Sequence, residues 1–256
     1  MTERMQTVAL DGRRVLVTGG ARGLGAAFVE ALTAAGARVV FGDLLDAQGQ
    51  ALAERLAAQG RDAQYVGVDL MDPASIRAFV AEGARRLGGL DGLINNAAVT
   101  HSGGRLATEL DVATWDAVMD VNVRGLWLAS VAAYPHLAAS GRGAIVNLAS
   151  DTALWGAPKL LAYVASKGAV IALTHALARE FGGAGVTVNA IAPGLTEVEA
   201  TAYVPAERHA YYRQGRALPR AQTTDDTTGP VLFLLSDAAR FVTGQLLPVN
   251  GGFVMH

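Results

Sequence analysis

Arg13-Arg14-Val15-Leu16-Val17-Thr18-Gly19-Gly20-Ala21-Arg22-Gly23-Leu24-Gly25 is the stretch of sequence that decides the fold. Its apolar first half predicts a short buried strand, and a helical pattern follows the glycines at residues 26–35. A strand, a glycine-rich turn and a helix in this order provide the context that a phosphate-binding turn requires. Residues 19–25, here called the glycine loop, can approach a pyrophosphate closely, and the helix N-terminus supplies free N–H groups. Glycine-rich turns also occur for purely steric reasons, so the flanking strand and helix carry this prediction.

The alternation of strand and helix continues along the chain. Further strands are predicted at residues 37–42, 63–68, 92–94, 143–148, 185–191 and 244–249. Further helices are predicted at residues 46–59, 73–87, 114–139, 153–181 and 225–235. The strand–helix units that fill the first hundred residues indicate a parallel sheet whose connections are crossover helices.

Acidic residues stand at the ends of two predicted strands. Asp43 lies about 20 residues past the glycine loop, where a carboxylate can accept hydrogen bonds from adenosine ribose hydroxyls. That carboxylate would repel a 2′-phosphate, which favours NAD over NADP, whereas Arg22 in the glycine loop would attract the phosphate. Asp43 can also cap the following helix, and both roles can hold together. Asp69, at the end of the third predicted strand, can meet the edge of the adenine.

Composition narrows the classes of function. The chain has 256 residues, of which 51% are hydrophobic and 17% charged, so it can bury a large core. A formal net charge of −2 without a Lys/Arg-rich run gives nucleic-acid binding no electrostatic support. The absence of cysteine excludes disulfides, thiolate metal sites and cysteine nucleophiles, and we expect no metal. No apolar signal region opens the sequence and no apolar run reaches membrane-spanning length, so we expect a cytoplasmic protein without a membrane partner.

The stretch Tyr163-Val164-Ala165-Ser166-Lys167 carries the chemistry. Residues i and i+4 of a helix share one face, so the hydroxyl of Tyr163 and the ammonium of Lys167 can converge. A phenol has a reference pKa of about 10, and a nearby cation favours its ionised form. We therefore expect Lys167 to lower the pKa of Tyr163 toward the range of an acid–base catalyst. The alternative is a core tyrosine beside a surface lysine, because such pairs are common on helices.

Two further polar residues stand where side chains can reach the same point. Ser150 follows the fifth predicted strand, and catalytic side chains gather at the C-terminal ends of strands in open α/β sheets. No Gly-x-Ser-x-Gly motif surrounds it, which disfavours a hydrolase nucleophile, although such serines are often only turn formers. Asn122 lies inside a predicted helix, and three interpretations are open. The side chain is exposed, it forms a hydrogen bond to another helix, or the residue provides a carbonyl contact that holds a water near Lys167.

Together these motifs resemble the classical short-chain dehydrogenase/reductase family, and the match covers nearly the whole chain. Residues 18–25 resemble the family's cofactor loop, and Pro193-Gly194 resembles its nicotinamide-contacting turn. Asn95-Asn96-Ala97-Ala98 resembles its Asn-Asn-Ala-Gly element, with Ala98 in place of the usual glycine, a change that tightens the space near the cofactor. Ser150, Tyr163 and Lys167 follow the family's catalytic order and spacing, and Asn122 stands where its fourth catalytic member stands.

The resemblance implies a role for each site residue. Tyr163 is the acid/base, Lys167 lowers its pKa and binds the nicotinamide ribose, Ser150 stabilises the substrate oxygen, and Asn122 anchors a proton-relay water. The expected cofactor contacts are Gly19, Arg22, Gly23, Leu24, Gly25, Asp43, Leu44, Asp69, Leu70, Asn96, Ala97, Ala98, Tyr163, Lys167, Pro193, Gly194, Leu195 and Thr196. The expected substrate contacts are Ser150, Thr152, Trp155, Tyr163 and Tyr203. His101 and His209 can add polarity to the pocket.

The fold expected from the pattern and the resemblance is α/β: a Rossmann-type, doubly wound parallel sheet of about seven strands with helices on both faces, a three-layer sandwich. One dinucleotide-binding domain spans residues 1–256, with a substrate lid at about residues 195–220, here called the lid segment. The family's last helix and strand contact another subunit, so we expect a homotetramer, with a dimer as the alternative.

The expected activity is interconversion of a secondary alcohol and a ketone with NAD(H), NADP being less favoured. Apolar residues between Ser150 and Tyr163, Trp155 among them, indicate an apolar, aromatic or cyclic substrate. The sequence also bears a loose likeness to family members such as 1-phenylethanol and pyridoxal dehydrogenases. Two alternatives stay open: an NADPH-dependent 3-oxoacyl-thioester reductase, and a non-catalytic nucleotide-binding scaffold.

Overall fold

A seven-stranded parallel sheet forms the centre of the computed structural model, which describes residues 8–100 and 104–255. The strands are β1 Arg14–Thr18, β2 Arg38–Asp43, β3 Ala63–Gly67, β4 Gly92–Asn95, β5 Ala144–Leu148, β6 Thr187–Pro193 and β7 Leu246–Val249. Their order across the sheet is β3-β2-β1-β4-β5-β6-β7. The strand order reverses between β1 and β4, which is the topological switch point of a doubly wound sheet. The predicted Rossmann-type fold is confirmed.

Helices cover both faces of this sheet. They are α1 Gly23–Ala34, α2 Asp46–Ala57, α3 Pro73–Leu87, α4 Val112–Met119, α5 Leu126–Ala139, α6 Thr152–Trp155, α7 Leu161–Phe181, α8 Ala206–Gly215 and α9 Asp225–Leu235. Side chains of α1, α2 and α9 pack in one apolar cluster, and those of α3, α5 and α7 pack in another. The described residues therefore form the three layers that the sequence predicts.

The alternation of side chains along each strand separates the two cores. Val15 and Val17 of β1 point into the cluster of α1 and α9, whereas Leu16 points into the cluster of α3 and α7. All three side chains are fully buried. Successive residues of a strand face opposite sides of a sheet, so a continuous apolar run is what a strand covered by helices on both faces needs.

Two predicted helices are interrupted in the structure. The helix predicted at residues 114–139 consists of α4, a π-helical segment Asp120–Gly125 and α5. It also begins earlier than predicted, because the N-cap is Asp111, whose carboxylate accepts a hydrogen bond from the backbone N–H of Thr114. A π segment inserts an extra residue into a helical turn, often at a functional site. Here it contains Asn122.

The helix predicted at residues 153–181 is likewise wrong as one element. The short helix α6 ends at Gly156, which has a φ of 70°, and α7 begins at Leu161. Pro158 lacks an N–H group and disfavours helical backbone in the residue before it, so the helix cannot continue through this segment. Lys159, with a φ of 64°, completes the turn between the two helices. The break leaves Tyr163 in the first turn of α7.

The other predicted elements differ from the structure mainly at their ends. α1 begins inside the glycine loop at Gly23, and α2 ends two residues before the predicted boundary at residue 59. β6 runs from Thr187 to Pro193 and not over residues 185–191. Such shifts are expected because caps and local hydrogen bonds, rather than apolar pattern alone, decide where an element ends.

One described helix is apolar and long enough to cross a membrane by length and composition, at residues 161–184. The expectation that no apolar run reaches that length is therefore wrong on these two criteria. The same helix contains Lys167 and packs against β6, and its buried residues contribute to the core beneath the sheet. Core helices of globular proteins commonly satisfy both criteria.

The lid segment follows β6 and interrupts the strand–helix rhythm. A 3-10 turn at Glu199–Thr201 leads to helix α8, and the chain returns to the sheet beside Gln222, which forms an isolated β-bridge with Thr196. The side chain of Tyr212 on α8 is almost fully buried against the body of the protein. The segment is therefore packed onto the carboxyl end of the sheet.

Candidate active site

The hydroxyl groups of Ser150 and Tyr163 meet at the carboxyl end of β5. Ser150 lies two residues after the end of β5 and is buried, and its side chain is close enough to that of Tyr163 on α7 to influence the pKa of the phenol. Ser150 Oγ also accepts hydrogen bonds from Thr152, from Oγ1 at 2.9 Å and from the backbone N–H at 3.3 Å. These acceptor contacts leave the Ser150 proton to be donated toward Tyr163 or a substrate oxygen.

Lys167 lies one helical turn beyond Tyr163 on the same face of α7. Its ammonium group is buried, donates a hydrogen bond of 2.6 Å to the carbonyl of Leu148 and lies 5.6 Å from the centre of the Tyr163 ring. Leu148 is the last residue of β5, two residues before Ser150. The strand end therefore brings the hydroxyl, the phenol and the ammonium group together.

The pKa values of this group contradict one expectation. Burial raises the pKa of Tyr163 to about 12, and the hydrogen bond from Ser150 opposes that rise. Burial also lowers the pKa of Lys167 to about 8. The lowering of the Tyr163 pKa expected from Lys167 is not seen in this structure, because removal of the phenol from water dominates and the ammonium is not among the groups that shift this pKa.

Asn122 fastens three parts of the site to one another. Its side-chain amide accepts a hydrogen bond of 2.7 Å from the backbone N–H of Val99 and donates one of 3.0 Å to the Val99 carbonyl. It donates a further bond of 3.0 Å to Ser166 Oγ, which in turn donates to the carbonyl of Tyr163. Of the three alternatives for Asn122, the structure shows the hydrogen bond between helices, and the side chain is buried rather than exposed.

The glycine loop is packed so closely that a side chain would not fit at Gly19, Gly20 or Gly25. A Cβ atom on Gly25 would lie 1.8 Å from the carbonyl oxygen of Gly19, and one on Gly19 would lie 2.6 Å from Cα of Ala97. Asn96 holds the loop from below, since its side chain donates hydrogen bonds to the carbonyls of Thr18 and Gly19. Asn96 and Ala97 therefore support the loop through contacts that exist in the protein itself.

The N-terminus of α1 opens from this loop. No side chain caps the helix, and no acidic residue lies in its first described turn. Arg22 is exposed at the N-cap position, and Leu24 and Gly25 lie in the first turn. Free N–H groups at the end of a twelve-residue helix suit an anionic pyrophosphate, so this position can hold the phosphates of a dinucleotide.

Asp43 stands at the end of β2 beside the glycine loop. Its carboxylate accepts hydrogen bonds from the backbone N–H groups of Ala21, at 3.1 Å, and Leu45, at 3.2 Å. It thus fixes the loop and the turn before α2, instead of capping that helix directly. Leu44 is strongly exposed next to it. A cavity of about 660 Å³, lined by Arg22 and Gly23 among others, lies between α1, α2 and residues 197–199.

The remaining predicted cofactor contacts follow the ends of β3 and β6. Asp69 accepts a hydrogen bond of 2.8 Å from the backbone N–H of Met71, and Leu70 is buried against Gly125. After Pro193, the N–H of Gly194 donates to Val249, and the carbonyl of Leu195 accepts from Arg216. Thr196 is buried, with its hydroxyl donated to the carbonyl of Gly194. Ala98 continues the segment after β4.

Comparison with known proteins identifies this arrangement. A family model described as "Enoyl-(Acyl carrier protein) reductase" matches residues 19–254. The "Probable galactose dehydrogenase GalD" of Rhizobium meliloti (strain 1021) is 38% identical over 247 residues, which cover 95% of each chain. The 3-alpha-(or 20-beta)-hydroxysteroid dehydrogenase of Mycobacterium bovis is 38% identical over 245 residues, covering 96% of this chain and 90% of that one. A solved gluconate 5-dehydrogenase from Burkholderia cenocepacia J2315, in complex with NADP and tartrate, has a TM-score of 0.91 at 32% identity and covers 96% of both chains.

The chain belongs to the short-chain dehydrogenase/reductase family. It is an oxidoreductase that acts on CH–OH groups, and the family binds a nicotinamide cofactor. The resemblance drawn from the sequence motifs is confirmed.

In this dehydrogenase the predicted substrate contacts do not all face one point. Thr152 touches Ser150, and the half-exposed Tyr203 donates a hydrogen bond of 3.0 Å to the carbonyl of Thr100, so it bridges the lid segment and the segment after β4. Trp155 packs into an aromatic group with Tyr212, and its indole N–H donates to the Tyr212 hydroxyl at 3.3 Å. His209 lies on α8, and His101 lies outside the described residues.

Three residues around the site were not expected from the sequence. Ser166 connects Asn122 to Tyr163, Asp151 is fully buried directly after Ser150, and Tyr212 on α8 donates a hydrogen bond to Asp151. Ser166 and Asp151 could have been found from the sequence, because each lies next to a predicted catalytic residue. The partnership of Asp151 with Tyr212 spans 61 residues and needs the fold.

Proposed function

We propose that this dehydrogenase interconverts a secondary alcohol and a ketone with NAD(H), and that Ser150, Tyr163 and Lys167 carry the chemistry. The observation that supports the proposal most directly is the convergence of these three side chains at the carboxyl end of β5. Ligands of open α/β sheets bind outside the carboxyl ends of the strands, and β5 is one strand from the switch point.

The protein's own groups can move a proton at the substrate oxygen. When bound, the nicotinamide cofactor supplies or accepts the hydride. The Tyr163 hydroxyl gives its proton to the oxygen during reduction and takes it back during oxidation. Ser150, held as an acceptor by Thr152, donates its hydrogen bond to the same oxygen and stabilises the charge that develops there. Lys167 supplies positive charge beneath the phenol.

The cofactor residues proposed from the sequence fit a dinucleotide. The glycine loop presents uncapped N–H groups to the pyrophosphate, and Leu44 and Asp69 flank the position expected for the adenosine. The segments after β4 and β6, which contain Ala98 and Thr196, would flank the nicotinamide. Asn96 and Asp43 contribute to this site indirectly, because their side chains form hydrogen bonds with the backbone of the glycine loop and hold it in place.

The preference for NAD is proposed from Asp43. Its carboxylate lies at the end of β2, where a 2′-phosphate would meet a like charge with little water between them. The exposed guanidinium of Arg22 would favour that phosphate, and the solved gluconate 5-dehydrogenase contains NADP. We give the carboxylate more weight, because its two hydrogen bonds from backbone N–H groups hold it in place.

For the substrate we propose a cyclic or aromatic secondary alcohol of modest polarity. The names of the two relatives, a galactose dehydrogenase and a hydroxysteroid dehydrogenase, describe alcohols on rings. The half-exposed aromatic ring of Tyr203, which bridges the lid segment and the segment after β4, can contribute an apolar contact on the substrate side. An acyl-thioester substrate is the alternative that the name of the family model favours. A non-catalytic scaffold is disfavoured by the assembled catalytic side chains.

We also propose one domain over residues 1–256, with the lid segment covering the substrate side, and a homotetramer. Phe241 is fully exposed after α9, and Leu247 is exposed on the edge strand β7. An exposed apolar sheet edge favours association with a second copy. A cytoplasmic location remains a prediction from the sequence.

A panel of alcohols assayed with both cofactors tests this function. The purified protein is incubated with NAD or NADP and with 1-phenylethanol, cyclohexanol, a 3-hydroxysteroid or galactose, and formation of the reduced nicotinamide is followed by absorbance. A 3-oxoacyl thioester is assayed in the reducing direction. We expect a ring alcohol with NAD to give the highest kcat/KM. Turnover of the thioester alone with NADPH would establish the alternative, and no turnover with any pair would contradict the proposal.

A further inference from the structure

A buried carboxyl group joins the catalytic segment to the lid segment. Asp151 follows Ser150 and is completely inaccessible to solvent. Its Oδ1 accepts a hydrogen bond of 2.9 Å from the hydroxyl of Tyr212, which lies on α8 and is 2% exposed. Asp151 also forms a backbone hydrogen bond with Pro193 at the end of β6, so its position is fixed from the sheet.

Aromatic rings enclose this hydrogen bond. The ring of Tyr212 stacks on Phe253 of the C-terminal segment at 4.3 Å, and Trp155 on α6 donates its indole N–H to the Tyr212 hydroxyl. The guanidinium of Arg216, at the C-cap of α8, lies 5.3 Å from the Tyr212 ring. Thus α6, α8 and the end of the chain meet at the same buried pair.

The second carboxylate oxygen shows that this arrangement is not simply a satisfied core contact. Among the described residues, Asp151 Oδ2 is buried without a hydrogen-bond partner. A buried carboxylate oxygen that lacks a hydrogen-bond partner lowers the stability of the fold, and an apolar residue would fill the same space at lower cost. A buried acid with one oxygen bonded to α8 and the other unpaired, directly after Ser150, therefore points to a role beyond packing.

We infer that Asp151 is a positioning residue: its carboxyl group holds helix α8 over the substrate side of the site through Tyr212. The inference rests on the proposed function, because it assigns α8 to substrate binding. The bond from Tyr212 is charge-assisted when Asp151 is ionised and neutral when it is protonated, and charge-assisted bonds are about twice as strong. The lid segment is therefore held more tightly in the ionised state.

The groups that face Asp151 make this hold depend on pH near neutrality. Tyr212 and Arg216 face it from the lid segment, Tyr163 from α7, and the neutral Trp155 and Asn250 from α6 and the C-terminal segment. Burial raises the pKa of Asp151 to about 7, and the lid-segment groups oppose that rise. The ionised carboxylate of Asp151 also raises the pKa of Tyr163. Neutralising Asp151 therefore does not make Tyr163 harder to ionise, and we do not expect it to slow proton transfer.

The Asp151→Asn variant tests the inference because an amide reproduces the shape and the neutral state of the protonated acid. With the best alcohol of the panel, we expect the KM of the wild type to fall as the pH rises from 6 to 8. The KM of Asp151→Asn should stay flat and be about three- to tenfold higher at pH 8, with kcat not reduced. Tyr212→Phe, which removes the bond altogether, should raise KM at least as much, and Asp151→Asn should add nothing to it in the double variant, because both changes act on the bond between these two side chains.

Amide hydrogen exchange of α8 provides a readout that needs no substrate. At pH 8 we expect Asp151→Asn and Tyr212→Phe to exchange faster than the wild type over Ala206–Gly215 and equally fast over Pro73–Leu87. Tyr211→Phe is the matched control, because its half-exposed ring lies on the same helix without contacting Asp151 through its hydroxyl.

Unchanged exchange over α8 in both variants would overturn the inference, whether or not the enzyme turns over a substrate. Faster exchange without turnover of any substrate would support the hold on α8 and count against the proposed function alone. Additive effects of the two variants on KM, or a pH dependence of KM that survives in Asp151→Asn, would also overturn it. If Asp151→Asn does not fold, Tyr212→Phe keeps the exchange test decisive.

Discussion

At the residue scale, the proposed function makes proton transfer depend on the hydroxyl of Tyr163. The Tyr163→Phe variant keeps the ring and its packing on α7 but removes the proton. We expect turnover to fall by about 10²- to 10⁴-fold, the usual contribution of a positioned acid–base group, with NAD affinity nearly unchanged. Steady-state rates and a fluorescence titration with NADH measure the two quantities.

The matched control for this variant is Tyr134→Phe, because Tyr134 stacks on Phe181 at 4.2 Å and lies in the core beneath α7. It should retain the wild-type rate. A rate in Tyr163→Phe within a few-fold of the wild type would remove Tyr163 from its proposed role.

Lys167 makes a second prediction at this scale, on stability. Burial lowers its pKa from 10.5 to about 8, so between these values the unfolded chain binds more protons than the folded one. Stability must then rise with pH across that window, by at most about 1.4 kcal/mol per pH unit from this group. The cost of burying the ammonium is fully present below pH 8.

Comparison with Lys167→Met isolates this contribution. We expect the free energy of unfolding of the wild type, measured in urea from pH 7 to 10.5, to gain on that of the variant as the pH rises above 8. Background titrations cancel in the difference. A difference that stays constant over the whole range would show that the ammonium is better solvated than the structure indicates.

The residue scale also separates what a sequence can predict from what it cannot. The spacing of Tyr163 and Lys167 and the position of Ser150 after β5 can be read from neighbouring sequence. They were sufficient to predict that these three side chains lie close together. The direction of the Tyr163 pKa was not predictable, because it depends on how much of the side chain the fold buries. The hydrogen bonds between Asn122 and Val99 were not predictable either, because the two residues are 23 positions apart and meet only in the folded chain.

At the scale of elements, the turn from β1 to α1 depends on the absence of side chains. In Gly25→Ala, the new methyl group would lie 1.8 Å from the Gly19 carbonyl and 2.6 Å from the Asn96 amide. The loop must shift, so we expect the variant to lose about 1–3 kcal/mol of stability. Affinity for NADH should fall more than tenfold, because the N–H groups of the loop would leave their positions.

Gly182→Ala is the control for this change. Gly182 has helical backbone after α7, and a Cβ atom there would meet nothing within 4 Å. It should leave NADH affinity unaltered and cost no stability, as measured by the same titration and urea unfolding. Equal losses in both variants would mean that the glycine loop tolerates a methyl group.

Elements differ in how well their pattern reveals them. The strands were predictable because residues buried on both faces form apolar runs bounded by glycine and polar residues. The interruptions between α6 and α7 and between α4 and α5 were not predicted, because the apolar pattern continues across both of them. Gly156 and Pro158 were available as signals for the first break. The π segment at Asp120–Gly125 contains Asn122, whose hydrogen bonds to Val99 and Ser166 join it to other elements, and no local pattern contains such contacts.

At the scale of the whole molecule, the order of the sheet explains why distant segments form one site. β1, β4 and β5 are neighbours, so the glycine loop, the segment containing Asn96 and the segment containing Ser150 leave the sheet at the same edge. The lid segment follows β6 and packs beside that edge, where Tyr212 of α8 bonds Asp151. The parallel sheet and its right-handed crossovers make this convergence a consequence of topology.

Among the described residues, exposed apolar side chains stand on α5 and, separately, beyond α9. Trp127 and Val131, one turn apart on α5, are each 45% exposed, and Phe241 stands fully exposed near the edge strand β7. Two distinct self-complementary surfaces on one chain produce a closed tetramer, because each can bind a second copy about its own two-fold axis. The wild type should therefore sediment as a tetramer at micromolar concentration.

Charged substitutions on each surface distinguish the two contacts. Burying a carboxylate in an apolar interface is strongly unfavourable, so Val131→Glu and Phe241→Glu should each give dimers, and the double variant should give monomers. Leu106→Glu, at an exposed apolar residue on neither surface, should remain tetrameric. Analytical ultracentrifugation reads the masses directly. A wild type that sediments as a monomer would refute the tetramer, and a double variant that stays dimeric would place a subunit contact elsewhere on the chain.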